Sequence, residues 1–203
     1  MKILNLYAGI GGNRKLWQGD LEITAIENVP EIAKIYQDFF PNDKVIIADA
    51  HQYLLDYFKE FDFIWSSPPC PTHSRFNFLN NLRVPVKYPN MELYEEIILL
   101  KTWYKGKYCV ENVISYYDPL IAPQKIANHY FWANFIIPQF DIGKRNIRNV
   151  PNHIQKRSEQ IGFPVKDLKI KSDLKRKILN NCVEPETGLH IFESAFRETK
   201  TLF

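Results

Sequence analysis

The sequence predicts a single α/β domain built on a doubly wound, mostly parallel sheet, and three observations predict it. Short apolar runs alternate with helical patterns over the first 115 residues, the order that produces strand–helix–strand crossovers. The first apolar run, 2–7, breaks at Ala8-Gly9-Ile10-Gly11-Gly12, a turn whose glycines let backbone approach a ligand closely. The next two apolar runs each close on an acid, Glu27 and Asp49.

The elements follow in order. A strand over 2–7 leads through the glycine turn into a helical stretch at 13–18, which stops at Gly19-Asp20. Ile23 to Glu27 forms the second strand. Pro30 opens a helix reaching Phe40, because proline's fixed φ suits a first helical turn. Val45 to Ala48 is the third strand, ending at Asp49, and an aromatic-rich helix follows it. Phe61 to Trp65 reads as a short buried strand before the rigid sequence Ser66-Ser67-Pro68-Pro69-Cys70-Pro71. A helix over 91–104 precedes the fifth strand, Tyr108-Cys109-Val110, which runs into Glu111-Asn112-Val113. The alternation weakens after about residue 140. Trp132, within Tyr130 to Phe135, fits a buried strand better than a base-stacking platform.

Composition narrows the classes. The 203 residues are 45% apolar, enough for one sizeable core. No apolar run approaches a membrane span, and the first residues lack the apolar core and cleavage site of a signal peptide. Three widely spaced cysteines, Cys70, Cys109 and Cys182, make neither a disulfide framework nor a zinc motif, which suggests a reducing cytoplasm. Cys70 and His73 have no second Cys/His pair beside them, so no metal is expected. Cys109 fits the core, and His51, His129, His153 and His190 share no spacing and fit structural or surface positions. Net charge is only +3, yet 144–177 holds eleven Lys or Arg against three acids. That block suits phosphate contacts and equally suits a solvated basic loop.

The candidate chemistry sits at strand ends, where open α/β sheets bind ligands. A glycine turn could be an ordinary strand-to-helix turn, but its position after the first strand favours a nucleotide-type cofactor. No Gly-Lys-Ser or Gly-Lys-Thr follows it, so it is not a P-loop. Glu27 can hold ribose hydroxyls and Asp49 an adenine amino group, although either acid alone also suits a surface or helix-cap role. Cys70, held between prolines past a strand end, can be a nucleophile or sit in an incidental turn. Glu111 ends the neighbouring strand, so thiol and carboxyl can meet one substrate; a polar strand terminus is the alternative.

Tyr7-Ala8-Gly9-Ile10-Gly11-Gly12, Glu27, Asp49, Pro68-Pro69-Cys70 and Glu111-Asn112-Val113, in this order and spacing, resemble the DNA cytosine-5 methyltransferases. The resemblance covers roughly 1–115 and resumes at Asn180-Asn181-Cys182-Val183-Glu184-Pro185, similar to the family's last motif. It implies a Rossmann-like methyltransferase fold whose final helix packs beside the first strand and completes the cofactor pocket. It implies methyl transfer from S-adenosylmethionine to carbon 5 of cytosine, leaving S-adenosylhomocysteine. Cys70 would add to carbon 6 of a cytosine flipped out of double-stranded DNA, and Glu111 would bind ring N3 and the exocyclic amine. Arg145 and Arg148 would supply cations for the base carbonyl and phosphate. Tyr7, Ala8, Gly9, Gly11, Gly12, Glu27, Asn28, Asp49, Ala50, Pro69, Leu93, Asn181 and Cys182 would line the cofactor pocket, and Ser74 and Arg75 would meet the DNA.

The sequence also departs from the family. Pro71 follows the nucleophile where glutamine is usual, and Asn180 and Cys182 replace a glycine and a Ser or Ala. Gln139 opens the arginine motif, but Phe140-Asp141 follow and Arg145 and Arg148 are spaced one residue too far apart. Only about thirty residues separate Arg148 from Ile178, where the family inserts a target-recognition domain; 144–177 stands in its place. The shortage implies relaxed recognition, or recognition lent by a partner subunit or second protomer. The resemblance points to a cytoplasmic enzyme of a bacterium or phage-infected cell, in the setting of restriction–modification. A methyltransferase acting on RNA and a catalytically silent, DNA-binding or regulatory relative are the alternatives.

Overall fold

The structure is a computed structural model, and it describes residues 1–75, 87–141 and 152–197. Among these, seven strands make one sheet in the order β3-β2-β1-β4-β5-β7-β6. They are β1 (Lys2–Leu6), β2 (Glu22–Ile26), β3 (Lys44–Ile46), β4 (Phe63–Ser66), β5 (Lys107–Val113), β6 (Gln124–Ile126) and β7 (His129–Ala133). β1 to β5 are parallel, and β7 turns back antiparallel to both β5 and β6. The fold is therefore the doubly wound, mostly parallel sheet that the sequence predicts. Its order reverses between β1 and β4, and the crevice at their carboxyl ends is where such sheets bind ligands.

Both faces are covered, as parallel strands require. On one face Leu4, Leu6, Ile26, Ile64 and Val110 pack against α2 (Ala50–Tyr57) and α3 (Glu92–Trp103). The other face carries Ile3, Ile23, Phe63, Trp65, Cys109 and Phe131 beneath α6 (Pro185–Phe196). The alternation along β1, with Ile3 on one side and Leu4 on the other, is the period-two signal of a strand buried on both faces. α1 (Pro30–Phe39) places Tyr36 on Ala25 and turns Ile32 and Ile35 toward α4 (His153–Ile161) and α5 (Ser172–Asn180).

The helical stretch expected at 13–18 is not a helix. Residues 12–16 form successive turns, with Lys15 N donating to Gly12 O and Trp17 N to Arg14 O. Tertiary contacts override the local pattern. Asn13 Nδ2 donates to Asn5 Oδ1 at 2.8 Å in the core, the Arg14 guanidinium grips Asp43, and Trp17 stacks on Phe192 at 4.8 Å. A regular helix would aim these three side chains differently. Trp132 lies buried in β7, and Cys109 is fully buried in β5.

The region in which the alternation weakens holds α4, α5 and α6. Ile161, Phe163, Val165, Ile178 and Leu179 bury their apolar surface against Ile10, Ile32 and Ile35. The described part of the basic block is thus packed on α1 and the glycine turn. No helix among the described residues is long and apolar enough to cross a membrane.

Candidate active site at the strand ends

The glycine turn begins with Tyr7 at φ +54°, followed by Gly9 at +56° and Gly11 at +82°. A Cβ built at Gly9 meets nothing within 4 Å, so the turn faces open space there. At Gly12 the constraint is contact: a Cβ would lie 2.3 Å from Val183 O and 2.4 Å from Cys182 Sγ. The Asn181-Cys182-Val183 segment is thereby seated against the turn, and Trp17 Nε1 donates to Gly188 O at 3.1 Å from the other side.

Glu27, the residue after β2, is buried, and its two oxygens accept from Gly9 N at 3.0 Å and Val29 N at 2.9 Å. Its carboxylate is fixed beneath the space above Gly9. Asp49 is exposed and caps α2, with Oδ1 accepting from Gln52 N at 2.8 Å. Ala50 and Leu93 are buried beside it in the α2–α3 layer, and Asn28 is exposed. A glycine cradle with open space, one carboxylate fixed at its base and a second at the next strand end fit an adenosine-type cofactor such as S-adenosylmethionine.

Cys70 lies four residues past the end of β4, after buried Pro68 and exposed Pro69. Its carbonyl accepts from His73 N and Ser74 N, both at 3.0 Å, so the thiol stands at the start of a closed turn. That turn is clamped from the β5 side. Asn112 Nδ2 donates to Pro68 O at 3.1 Å, Ser74 bridges Ser115, and the buried His73 ring meets the Tyr117 hydroxyl at 2.5 Å. Burial lowers the pKa of His73, which favours the neutral ring. Ser74 is half-buried and Arg75 exposed.

The three cysteines differ in kind. Burial pushes the Cys109 thiol far up, and Cys182 rises to about 12 through burial, against the pull of Arg157 and Lys15. Both are held as thiols. Cys70 is half-buried at the sheet edge.

β4 and β5 are adjacent and parallel with Ser66 opposite Val110, so Glu111 stands one register position further along the same edge. Its side chain is 12% exposed, and Oε1 lies 3.5 Å from His129 Nε2. The edge therefore gathers the glycine turn, Glu27, Asp49, Cys70 and Glu111, and the Asn181–Cys182 segment is brought to it from the far end of the chain. Arg145 and Arg148 lie outside the described residues.

Sequence reasoning missed four contributors. His129 reaches Glu111 only because β7 runs antiparallel to β5, which no local pattern reveals. His73 and Tyr117 meet because the segments that follow the adjacent, parallel β4 and β5 lie side by side. Glu96 did leave a signal: Leu93, Ile97 and Leu100 mark the buried stripe of a helix, and Glu96 falls on that stripe as a lone acid.

Residues 1–87 match the family model described as C-5 cytosine-specific DNA methylase. No curated protein matches the chain. Among solved structures, a putative methyltransferase, YhhF, from Escherichia coli is similar at 17% identity, over 65% of this chain and 73% of that one, with a TM-score of 0.42. DNMT2 of Spodoptera frugiperda, as a triple mutant, is 27% identical over 55% of this chain and 35% of its own, with a TM-score of 0.39. A putative DNA modification methyltransferase of an Escherichia coli prophage shows 16% identity over 58% and 33%, at a TM-score of 0.38. From Met1 to Lys87, the stretch that supplies Gly9, Glu27, Asp49 and Cys70, this chain carries the sequence pattern of the C-5 cytosine-specific DNA methylases.

Proposed function

We propose that this protein methylates carbon 5 of cytosine in DNA, with Cys70 as the covalent nucleophile. The observation that carries the reading is the placement of Cys70 and Glu111 on adjacent parallel strands at one sheet edge, where the Asn112–Pro68 hydrogen bond ties the turn after β4 to β5. S-adenosylmethionine, when bound, supplies an electrophilic methyl group on a sulfonium sulfur. Gly9, Gly11 and Gly12 give its backbone cradle, Glu27 its ribose contact and Asp49 its adenine contact, with Asn28, Ala50, Pro69, Leu93, Asn181 and Cys182 around them.

Cytosine C5 is a weak nucleophile. The Cys70 thiolate adds to C6, forming an S–C6 bond and placing the displaced electron pair on C5. Glu111 binds N3 and the exocyclic amine, which draws electron density from C6 and eases that addition. After C5 is alkylated, loss of its proton to a base drives out Cys70 and restores the aromatic ring. His129 stands against Glu111, with Nε2 at 3.5 Å from its Oε1. The target base must leave the helix stack to reach this edge. Ser74 and Arg75 are suited to the DNA backbone, and Arg145 and Arg148 to the base carbonyl and phosphate. The packing of α4 and α5 on α1 supports a reading in which 144–177 braces the pocket and target choice is relaxed or lent by a partner.

The test is incubation with S-adenosylmethionine and duplex DNA containing 5-fluorocytosine, resolved on a denaturing gel. Fluorine at C5 blocks the final proton loss, so a covalent adduct accumulates, and Cys70→Ser abolishes it. No adduct on DNA, with one formed on an RNA of the same sequence, would move the substrate class. No adduct on either, with S-adenosylhomocysteine still bound, would leave a silent binding protein.

A further inference from the structure

Glu96 sits in the middle of α3 and is fully buried, whereas Glu92 and Glu95 on the same helix face solvent. Both of its oxygens are committed. Oε1 accepts from the Tyr7 hydroxyl at 2.7 Å and faces His51 Nδ1 at 3.2 Å, and Oε2 accepts from the Ser66 hydroxyl at 2.6 Å. The second ring nitrogen of His51, Nε2, lies 3.3 Å from Glu95 Oε2. A ring with a carboxylate oxygen at each nitrogen is satisfied when both nitrogens carry protons. The geometry is that of an imidazolium between two carboxylates.

The partners of Glu96 come from three separate strand ends. Tyr7 is the first residue past β1 and opens the glycine turn in a left-handed conformation. Ser66 is the last residue of β4, four before Cys70. His51 is the second residue of α2, next to Ala50 and two after Asp49. One buried carboxylate thus joins the cradle, the adenine end and the strand that presents the nucleophile. A carboxylate so deeply buried is costly to keep, and an apolar residue would complete the stripe of α3 without that cost.

We propose that Glu96 is a positioning residue for the cofactor pocket, holding Tyr7, Ser66 and His51 in register, and that the proton on His51 sets the pocket's affinity. The proposal rests on the cofactor reading above. The ionisable groups facing His51 are Glu92, Glu95 and Glu96 from α3; Tyr7, from the end of β1, shares Glu96 Oε1 with it, and Asp49, two residues before His51, acts on Tyr7. All are acidic. The hydrogen bond to Glu96 raises His51 above its ordinary 6.5, with burial opposing and the charges of Glu96, Glu95 and Glu92 adding to the rise. Burial and Glu96 push the Tyr7 phenol far up, so it remains a donor. Because the folded-state pKa of His51 is raised, the link is complete below 6.5 and is lost as pH rises through the raised value.

Two measurements on the full chain test this. Backbone amide NMR between about pH 5.5 and about pH 9.5 follows Gly9, Ala50 and Ser67, and calorimetry over the same range gives the affinity for S-adenosylhomocysteine. The three amides are expected to titrate with one shared midpoint above 6.5. Affinity should fall roughly tenfold across it. His51→Gln, a change at a partly exposed position, should fold, abolish the shared midpoint and flatten the affinity profile. Tyr7→Phe should uncouple Gly9 alone. Binding with a flat profile in the wild type, amides that titrate independently, or a slope that survives His51→Gln would each overturn the proposal. Absence of S-adenosylhomocysteine binding at every pH would overturn the cofactor reading instead, and the amide titration would then decide the linkage unaided.

Discussion

The strand-end edge and the carboxyl-terminal helices do opposite work with similar residues. At the edge, polar groups face outward or toward one another: Glu27 holds backbone amides, Asp49 caps a helix in solvent, and Cys70 stands half-buried on a clamped turn. In the carboxyl-terminal region polar groups serve shape. Arg157 pairs with Glu184 and donates to Leu179 O at 3.3 Å and Cys182 O at 3.2 Å, fastening the end of α5 to the start of α6. Cys182, half-buried beside it and with its thiol pushed up to about 12, is a packing atom against Gly12. The difference shows that a cysteine or arginine in a suggestive motif takes its role from burial and partners. The edge carries the proposed chemistry, and the helices behind it hold the turn in place.

Substitutions should separate the two regions. The largest effect on function belongs to Cys70→Ser, which is expected to lower methyl transfer by at least ~10³-fold while leaving the melting temperature unchanged. Equal loss of stability would show that Cys70 is a packing residue after all. Trp17→Ala should do the reverse. It removes a buried ring stacked on Phe192 and the bond to Gly188 O, and is expected to cost about 3–5 kcal/mol in denaturant unfolding.

Arg157→Met leaves Glu184 without its guanidinium partner and frees Leu179 O and Cys182 O. Its expected cost is about 3 kcal/mol. Retention of full stability would detach the carboxyl-terminal brace from the fold. Gly188→Ala sets a Cβ 2.2 Å from Asn13 O and 2.5 Å from Asn13 Cα, both backbone atoms that cannot swing aside. About 1–3 kcal/mol of destabilisation is expected, with weaker S-adenosylhomocysteine binding because Asn13 borders the glycine turn. The mildest perturbation is chemical. At about pH 8 the Cys182 thiol is ionised to roughly one part in 10⁴. Iodoacetamide should therefore modify Cys70 first, and Cys109 and Cys182 only on unfolding; early modification of Cys182, mapped by peptide mass, would erase the contrast between the two regions.

The edge was more legible than the brace for a physical reason. β1, β2, β3 and β4, and the residues Tyr7, Glu27, Asp49 and Cys70 that follow them, are read from period-two apolar runs that stop at a glycine, an acid or a proline, and each signal is local. Glu96 was legible only as a flaw in a helical stripe. His129 beside Glu111, Tyr117 on His73 and Arg157 on Glu184 depend on pairings between elements 18 to 44 residues apart, and nothing local encodes them. The stretch 13–18 misled because its helical pattern was real and three long-range contacts outweighed it.

The sequence by itself determined the α/β class, the mostly parallel character of the sheet and the residues that follow its first five strands, because short-range apolar period and turn chemistry decide those features. Tertiary structure alone decided which of those residues meet. It set an antiparallel β7 beside β5 and Glu111, seated Cys182 against Gly12, and gathered Tyr7, His51 and Ser66 on the buried carboxylate of Glu96. Such meetings are fixed by packing and by the need of every buried polar group for a partner, and both are settled only when distant elements are in place.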